Sequence, residues 1–279
     1  MEASKKGFLK SDFEIFYLND CKSFEFDFHF HDFHKLIIFF NGKVNYVIEG
    51  KGYKLRPFDV LLVRNNEIHK PEIDSSVPYE RIVIWMKHGK VLEESENEDL
   101  LECFKERNDR MINLLRLGEK APDDIRYVLD EIKRTIMQKG YASNSLKKLM
   151  AMQLMIYISR ELKKHSLEQA SLNHADFDRT MAGIIDHINT NLTKALRIDE
   201  ISENFYISKY HLMRKFKKCT GYTIHQYILK KRLIRAKDMI KKGKLAAAVS
   251  FEVGFGDYSS FVRAYKKMFN ELPSGRKKA

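Results

Sequence analysis

The stretches SKYHLMRKFKKCTG at 208–221 and DYSSFVRAYKKMFN at 257–270 are one pattern written twice, 49 residues apart. Each opens on a residue that caps helices, Ser208 or Asp257, whose side-chain oxygen can accept from an unsatisfied N–H of the first turn. Each then places an apolar residue (Leu212, Phe261), an arginine (Arg214, Arg263), an aromatic residue (Phe216, Tyr265) and a Lys-Lys pair in the same order. Successive helical residues turn by about 100°, so Leu212 with Phe216, and Phe261 with Tyr265, share a face that anchors to a core. The rest of the first helix displays Lys209, Tyr210, His211, Met213, Arg214, Lys215, Lys217 and Lys218. The second displays Tyr258, Ser259, Val262, Arg263, Lys266 and Lys267.

A shorter helical segment precedes each copy, 198–205 and 245–253, and a short turn follows it, containing Gly254 in the second case. That is the helix-turn-helix plan, in which the second helix enters the major groove of double-stranded DNA. Arginine suits bidentate recognition of guanine, whereas Lys215, Lys217, Lys218, Lys266 and Lys267 suit phosphates. Between the copies, 225–242 reads as one helix of roughly 27 Å at about 1.5 Å per residue. A rod of that length holds two recognition helices near the roughly 34 Å repeat of successive grooves.

Charge supports the same division. The chain has 279 residues and a formal net charge of +12. Residues 1–170 hold 28 Lys+Arg against 28 Asp+Glu, while 171–279 hold 22 against 10. One neutral part joined to one basic part points to a polyanion met by the C-terminal part alone. A lysine-rich face by itself is usually only solvated; its repetition at matched helical positions is what points to DNA.

The ordered positions Ile201-Ser202, Ser208-x3-Leu212-x-Arg214-x-Phe216-Lys217-x3-Gly221, Arg232-Leu233-x2-Ala236 and Gly254-Phe255-x-Asp257-x3-Phe261-x-Arg263-x-Tyr265, with Pro273, resemble the DNA-binding domain of AraC/XylS transcription regulators over about 177–276. Asn270 stands where that family usually has Gly, Ser250 where Ala is usual, and Met213 sits at a base-facing position. The resemblance implies a sequence-specific regulator, often preceded by a cupin-like sensor barrel.

The N-terminal part fits a barrel. From Phe24 to Trp85, short runs rich in Phe, Ile, Val and Tyr alternate with turn residues. The run 36–40, then Asn41-Gly42, then 43–48 predicts a hairpin with a type I′ turn. Region 98–164 changes to helical period: Ile125, Val128, Leu129, Ile132 and Ile136 form one stripe, and Leu146, Leu149, Met150, Tyr157 and Leu162 another. The second helix is apolar on most of its circumference, which suits packing on the barrel and on a second copy of the chain. Polar 163–176 reads as a linker. The expected fold is α+β: a cupin-like barrel at 1–90, a helical connector and dimerisation region at 91–170, and an all-α domain with two helix-turn-helix units at 171–279.

His29 and His31, with His34 and His69, are the cluster that raises metal chemistry. Metal-binding cupins generally add a carboxylate shortly after the paired histidines, and here Lys35 holds that place, opposing a divalent ion. The expectation is no metal and no cofactor, with His29, His31, Tyr46, Arg64 and His69 lining a pocket for a small-molecule effector such as a sugar or related metabolite. Histidines merely satisfied within the fold remain an alternative. No nucleophile, base and oxyanion set is legible, so no catalytic residue is assigned and the chain is read as no enzyme. An effector-independent regulator and a metal-dependent cupin enzyme with a DNA-binding tail are the competing readings. Three scattered cysteines, Cys21, Cys103 and Cys219, and no apolar segment of signal or membrane length, suggest a cytoplasmic protein without membrane contact. A homodimer and RNA polymerase are the expected protein partners.

Overall fold

The computed structural model describes residues 9, 13–21, 26–87, 100–105, 112–138, 140–165 and 179–274. The chain divides into two compact units, one of Met1–Ile48 with Gly52–Phe177, the other of Asp178–Ala279, to which Glu49–Lys51 are assigned. Most of the linker expected at 163–176 lies outside the described residues.

Among the described residues the first unit holds eight strands: β1 Phe13–Asp20, β2 His34–Asn41, β3 Lys43–Ile48, β4 Lys51–Lys54, β5 Asp59–Val63, β6 His69–Asp74, β7 Tyr79–Met86 and β8 Leu114–Arg116. They form a five-stranded sheet, β1-β7-β2-β5-β8, and a three-stranded sheet, β4-β3-β6. One face of the larger sheet, including Leu36, Ile38, Leu62, Ile82 and Ile84, packs on two helices, α1 Asp123–Met137 and α2 Ser143–His165. Its other face, including Ile37, Phe39, Leu61, Val63 and Val83, meets Val44, Tyr46 and Ile48 of the smaller sheet. A strand covered on both faces is apolar throughout rather than alternating, and β5 is accordingly buried at every position. This is the cupin-like arrangement expected.

Three local expectations are corrected. β2 and β3 belong to different sheets, so Asn41-Gly42 carries the chain from one sheet to the other and closes no two-strand ladder. Gly42 has φ 131°, unlike a type I′ turn, and a Cβ there would stand 3.2 Å from Tyr79 Cα. Close approach of β7 is what the glycine permits. Strands β1 and β8 lie outside the 24–85 stretch read as β; each pairs antiparallel at a sheet edge, β1 with β7 and β8 with β5. On α1 the expected stripe is buried at Ile125, Val128, Leu129 and Ile132. On α2 the inward side chains are Ala151, Leu154, Met155, Ile158 and Leu162, whereas Leu146 and Leu149 are exposed, along with Tyr127 and Met137 of α1.

The second unit is helical: α3 Arg179–Thr190, α4 Ile198–Asn204, α5 Lys209–Thr220, α6 Ile224–Lys241, α7 Ala246–Glu252 and α8 Tyr258–Phe269. The long helix read at 225–242 is α6. Its start is fixed by a capping box in which Thr223 accepts from Gln226 N–H and Gln226 accepts from Thr223 N–H. Leu233, Ala236 and Ile240 of α6 share a core with Val249, Val253, Phe261 and Tyr265. Phe216 of α5 meets Tyr227 of α6 edge-on at 5.3 Å between ring centres.

Candidate functional site

Helices α5 and α8 begin where the sequence places them because their caps are local. Ser208 Oγ accepts from His211 N–H, and Asp257 Oδ1 accepts from Ser260 N–H at 2.7 Å. The backbone and side-chain donors of Ser260 hold the Asp257 carboxyl below the usual carboxylate range, with Arg263 adding to the effect. Both helices end on a left-handed residue, Gly221 at φ 75° and Asn270 at φ 55°, whose N–H closes on Lys217 O and Lys266 O. Asn is the side chain that best tolerates that conformation after Gly, so the departure at 270 leaves the cap intact.

Leu212 and Phe216 are completely buried, as is Phe261, and Tyr265 nearly so. Anchoring that face turns the other outward. Lys209, Tyr210, His211, Met213, Arg214, Lys217 and Lys218 are exposed on α5, and Lys215 is half-buried. On α8, Tyr258, Ser259, Arg263, Lys266 and Lys267 are exposed and Val262 is half-buried. Arg214 and Arg263 are each the sixth residue of their helix. Arg214 lies 5.9 Å from the Tyr210 ring centre, and Arg263 donates to Ser260 Oγ at 3.1 Å. Lys209 pairs with Asp199 of α4.

The leading helices repeat with a different step. Ser202 Oγ donates to Asp199 O and Ser250 Oγ to Ala247 O; Ile207 N–H donates to Ser202 O and Phe255 N–H to Ser250 O. Each pair is 48 residues apart, against 49 for the caps of α5 and α8, so the second turn holds one extra residue. Ser250, unusual for the family, is thereby satisfied within its own helix.

A residue quoted only for the resemblance turns out to tie this unit together. Arg232 of α6 donates to Leu192 O, Gly254 O and Lys194 O, each at 2.7 Å. Its guanidinium joins the segment after α3 to the turn before α8. The spacing of motifs carries no signal for this, since the three acceptors are backbone groups brought together by packing.

In the first unit, three of the five pocket candidates form one imidazole cluster and a fourth borders it. Ring centres of His29 and His69 are 4.3 Å apart, those of His31 and His69 4.7 Å, and Tyr46 stacks on His69 at 5.9 Å. Nδ1–H donates to a backbone carbonyl in each histidine: Asp27 O for His29, Phe33 O for His31 and Glu67 O for His69, at 2.7 to 2.9 Å. Burial pushes the pKa of all three below the ordinary imidazole value, with Lys35 and neighbouring imidazoles adding repulsion. The rings are therefore neutral at pH 7, with Nε2 as the acceptor. Nε2 of His31 and of His69 is buried without a partner.

Arg64 does not join this cluster. Its guanidinium donates to Phe104 O, Ile112 O and Glu67 Oε1, and Asn113 Nδ2 also donates to Glu67. That buried network holds segments 100–105 and 112–116 and leaves Arg64 a structural part. Among the described residues, no group of three or more His, Cys, Asp or Glu is arranged to hold a metal ion, and no helix is long and apolar enough to cross a membrane. A separate cleft of about 630 Å³, lined by Val44, Leu55, Ile73 and others, lies toward the Lys43 and Asp74 end of the small sheet. Register puts His69 at the other end of that sheet, opposite Ile48.

Comparison with known proteins agrees with both halves of this description. An AraC-like ligand binding domain model matches 14–156, and a helix-turn-helix domain model matches 201–279. The HTH-type transcriptional activator RhaS of Salmonella arizonae is 24% identical over 246 residues, 88% of this chain and 85% of that protein. Among solved structures, unsaturated fatty acid bound ToxT of Vibrio cholerae is 18% identical with a TM-score of 0.38, covering 94% of this chain and 92% of that one. An AraC-type DNA-binding protein from Chromobacterium violaceum is 25% identical over 34% of this chain and 85% of its own, with a TM-score of 0.32. The chain belongs to the AraC family of transcription regulators, with an AraC-like ligand binding domain ahead of its helix-turn-helix domain.

Proposed function

We propose that this regulator reads a specific duplex through α5 and α8 laid in successive major grooves, and that a small molecule bound among the barrel strands sets its affinity for that duplex. The observation that carries the reading is the matched pair of capped helices, each exposing an arginine at its sixth position and a Lys-Lys pair near its end. Arg214 and Arg263 make base contacts, with Tyr210, Met213, Tyr258, Ser259 and Val262 beside them. Lys209, His211, Lys215, Lys217, Lys218, Lys266 and Lys267 contact phosphates and supply affinity without sequence information.

Control by an effector requires that the molecule bind the DNA-competent arrangement of the chain with a different affinity from the other. His29, His31, Tyr46 and His69 are the contact candidates. The exposed apolar side chains Tyr127 and Met137 of α1 and Leu146 and Leu149 of α2 fit dimerisation through these helices. On this reading the protein works in the cytoplasm as a homodimer, engages RNA polymerase and catalyses no reaction.

Selection of bound fragments from random duplexes, with heparin as competitor, tests the DNA claim. The expected result is a recurring sequence retained at moderate salt; equal retention of all duplexes contradicts it. A metabolite panel then tests effector control, because a true effector raises the melting temperature by mass action and changes operator affinity.

A further inference from the structure

Between the two sheets of the first unit lies a lysine that makes no ion pair with an acid among the described residues. Lys35 of β2 shares a face with Ile37 and Phe39, both part of the apolar core between the sheets. It stands opposite Trp85 on β7 and Val63 on β5. Its ammonium donates to Tyr46 Oη at 3.0 Å, and the charge that bears on it is that of Arg81, a second cation. Lys35 is half-buried. Burial lowers its pKa to about 8, so at pH 7 it is charged and costs stability. A folded core tolerates such a cost where a ligand offsets it.

The groups around Lys35 define what that ligand offers. Trp85 Nε1–H is a buried donor without an acceptor. It adjoins the imidazoles through Phe33, which stacks on His31 at 3.9 Å and meets Trp85 at 5.1 Å. The unpartnered Nε2 atoms of His31 and His69 are bare lone pairs, because Nδ1 of each ring carries the proton. The interior around Lys35 therefore holds unused donors on Lys35 and Trp85 and unused acceptors on two histidines. A carboxylate fills the first pair, and a hydroxyl fills one of the second. A divalent metal would suit the imidazoles but not the Lys35 ammonium beside them. A phosphate dianion would bring a second charge that Lys35 alone does not balance, because Arg81 is already paired with Asp20. A neutral polyol would leave the ammonium without a counter-charge.

We propose that the barrel interior binds a small hydroxycarboxylic acid, its carboxylate held by Lys35 Nζ and Trp85 Nε1–H and its hydroxyl donated to Nε2 of His31 or His69. The proposal rests on the reading of this unit as the effector domain. Of the other titratable groups around Lys35, Tyr46 and Tyr79 are pushed up by burial and the histidines are held down. Lys35 is the group that changes.

The test uses the full chain, with thermal shift and isothermal titration against hydroxycarboxylates from lactate to gluconate. Propionate, glycerol, glucose, inorganic phosphate and zinc are the comparison probes. A hydroxycarboxylate is expected to bind best at pH 7 and to lose about tenfold in affinity at pH 9, following the ammonium. Lys35→Met and Lys35→Gln lose that binding while still melting cooperatively, and Trp85→Phe weakens it at least fivefold. Binding of glycerol or glucose that is equally strong in wild type and Lys35→Met overturns the proposal and leaves effector control standing. Stoichiometric zinc, or preference for phosphate, also overturns it. If no probe from this or a wider metabolite panel shifts the melting of a DNA-binding protein, the proposal and effector control fail together.

Discussion

In the first helix-turn-helix unit the turn is made by Tyr206 at φ 52°, its side chain 98% exposed; in the second, Gly254 at φ 93° makes the equivalent turn beneath Arg232. A Cβ on Gly254 would stand 2.9 Å from the Arg232 guanidinium and 3.1 Å from Thr193 O. The hydrogen bonds of the two turns are otherwise the same, from Tyr206 N–H to Glu203 O and from Gly254 N–H to Phe251 O. The left-handed residue is thus a geometric need of both turns, while glycine itself is needed only where α6 crosses closely. The turn before α8 is tied through Arg232 to the segment after α3, and the turn before α5 is left open to solvent.

The difference is sharpest at Gly254. Gly254→Ala combines positive φ with displacement of Arg232, and is expected to cost about 2 to 4 kcal/mol in urea unfolding. Tyr206→Ala, at the same place in the first turn, should cost little, and comparable losses would erase the distinction. Arg232→Ala removes three charge-assisted bonds from a half-buried side chain, for an expected loss of about 2 to 3 kcal/mol. It should also weaken binding to a bipartite site more than binding to either half, measured by fluorescence anisotropy.

At the proposed interface the effects are of binding rather than stability. Arg263→Ala and Arg214→Ala should each cost about 1 to 3 kcal/mol on the selected sequence and relax base preference at different positions. Lys217→Ala should weaken all duplexes alike and reduce the salt slope by about one. Identical behaviour of Arg263→Ala and Lys217→Ala across operator variants would refute the division of roles. The smallest changes concern the ends. Ser208→Ala should lose about 1 kcal/mol through its cap, and Tyr206→Gly should gain about 0.5 to 1 kcal/mol by relieving left-handed strain. A loss on Tyr206→Gly would mean that the exposed ring makes a contact the fold depends on.

What could be read from residues alone follows the range of the interactions. The starts of α5 and α8 are legible because their caps, Ser208 and Asp257, act over three positions, whereas α6 is read one residue late at each end because its Thr223 cap goes unread. Most side chains proposed for DNA follow directly, being those opposite Leu212, Phe216, Phe261 and Tyr265. The 48-residue step of the leading helices is masked in the sequence because their shared signals, Ser202 and Ser250, are too few to count. In the first unit, whether β2 pairs with β3 or with β7 and β5 is settled by packing of distant segments, so Asn41-Gly42 misleads. The same limit hid β1 and β8, the exposure of Leu146 and Leu149, and the place of Arg64 in a buried network. His29, His31, Tyr46 and His69 were found as polar groups in an apolar barrel; Lys35, noted for what it opposes, lies among them.

One chain reading two successive grooves at fixed separation is the claim on which the rest turns, and inserting base pairs between the two halves of the selected site measures it directly. Five added base pairs rotate one half by about half a turn, and the affinity should drop to that of a single half, with recovery absent at ten because α6 cannot lengthen. Affinity unchanged by the insertion would show that the two helices do not engage the duplex together.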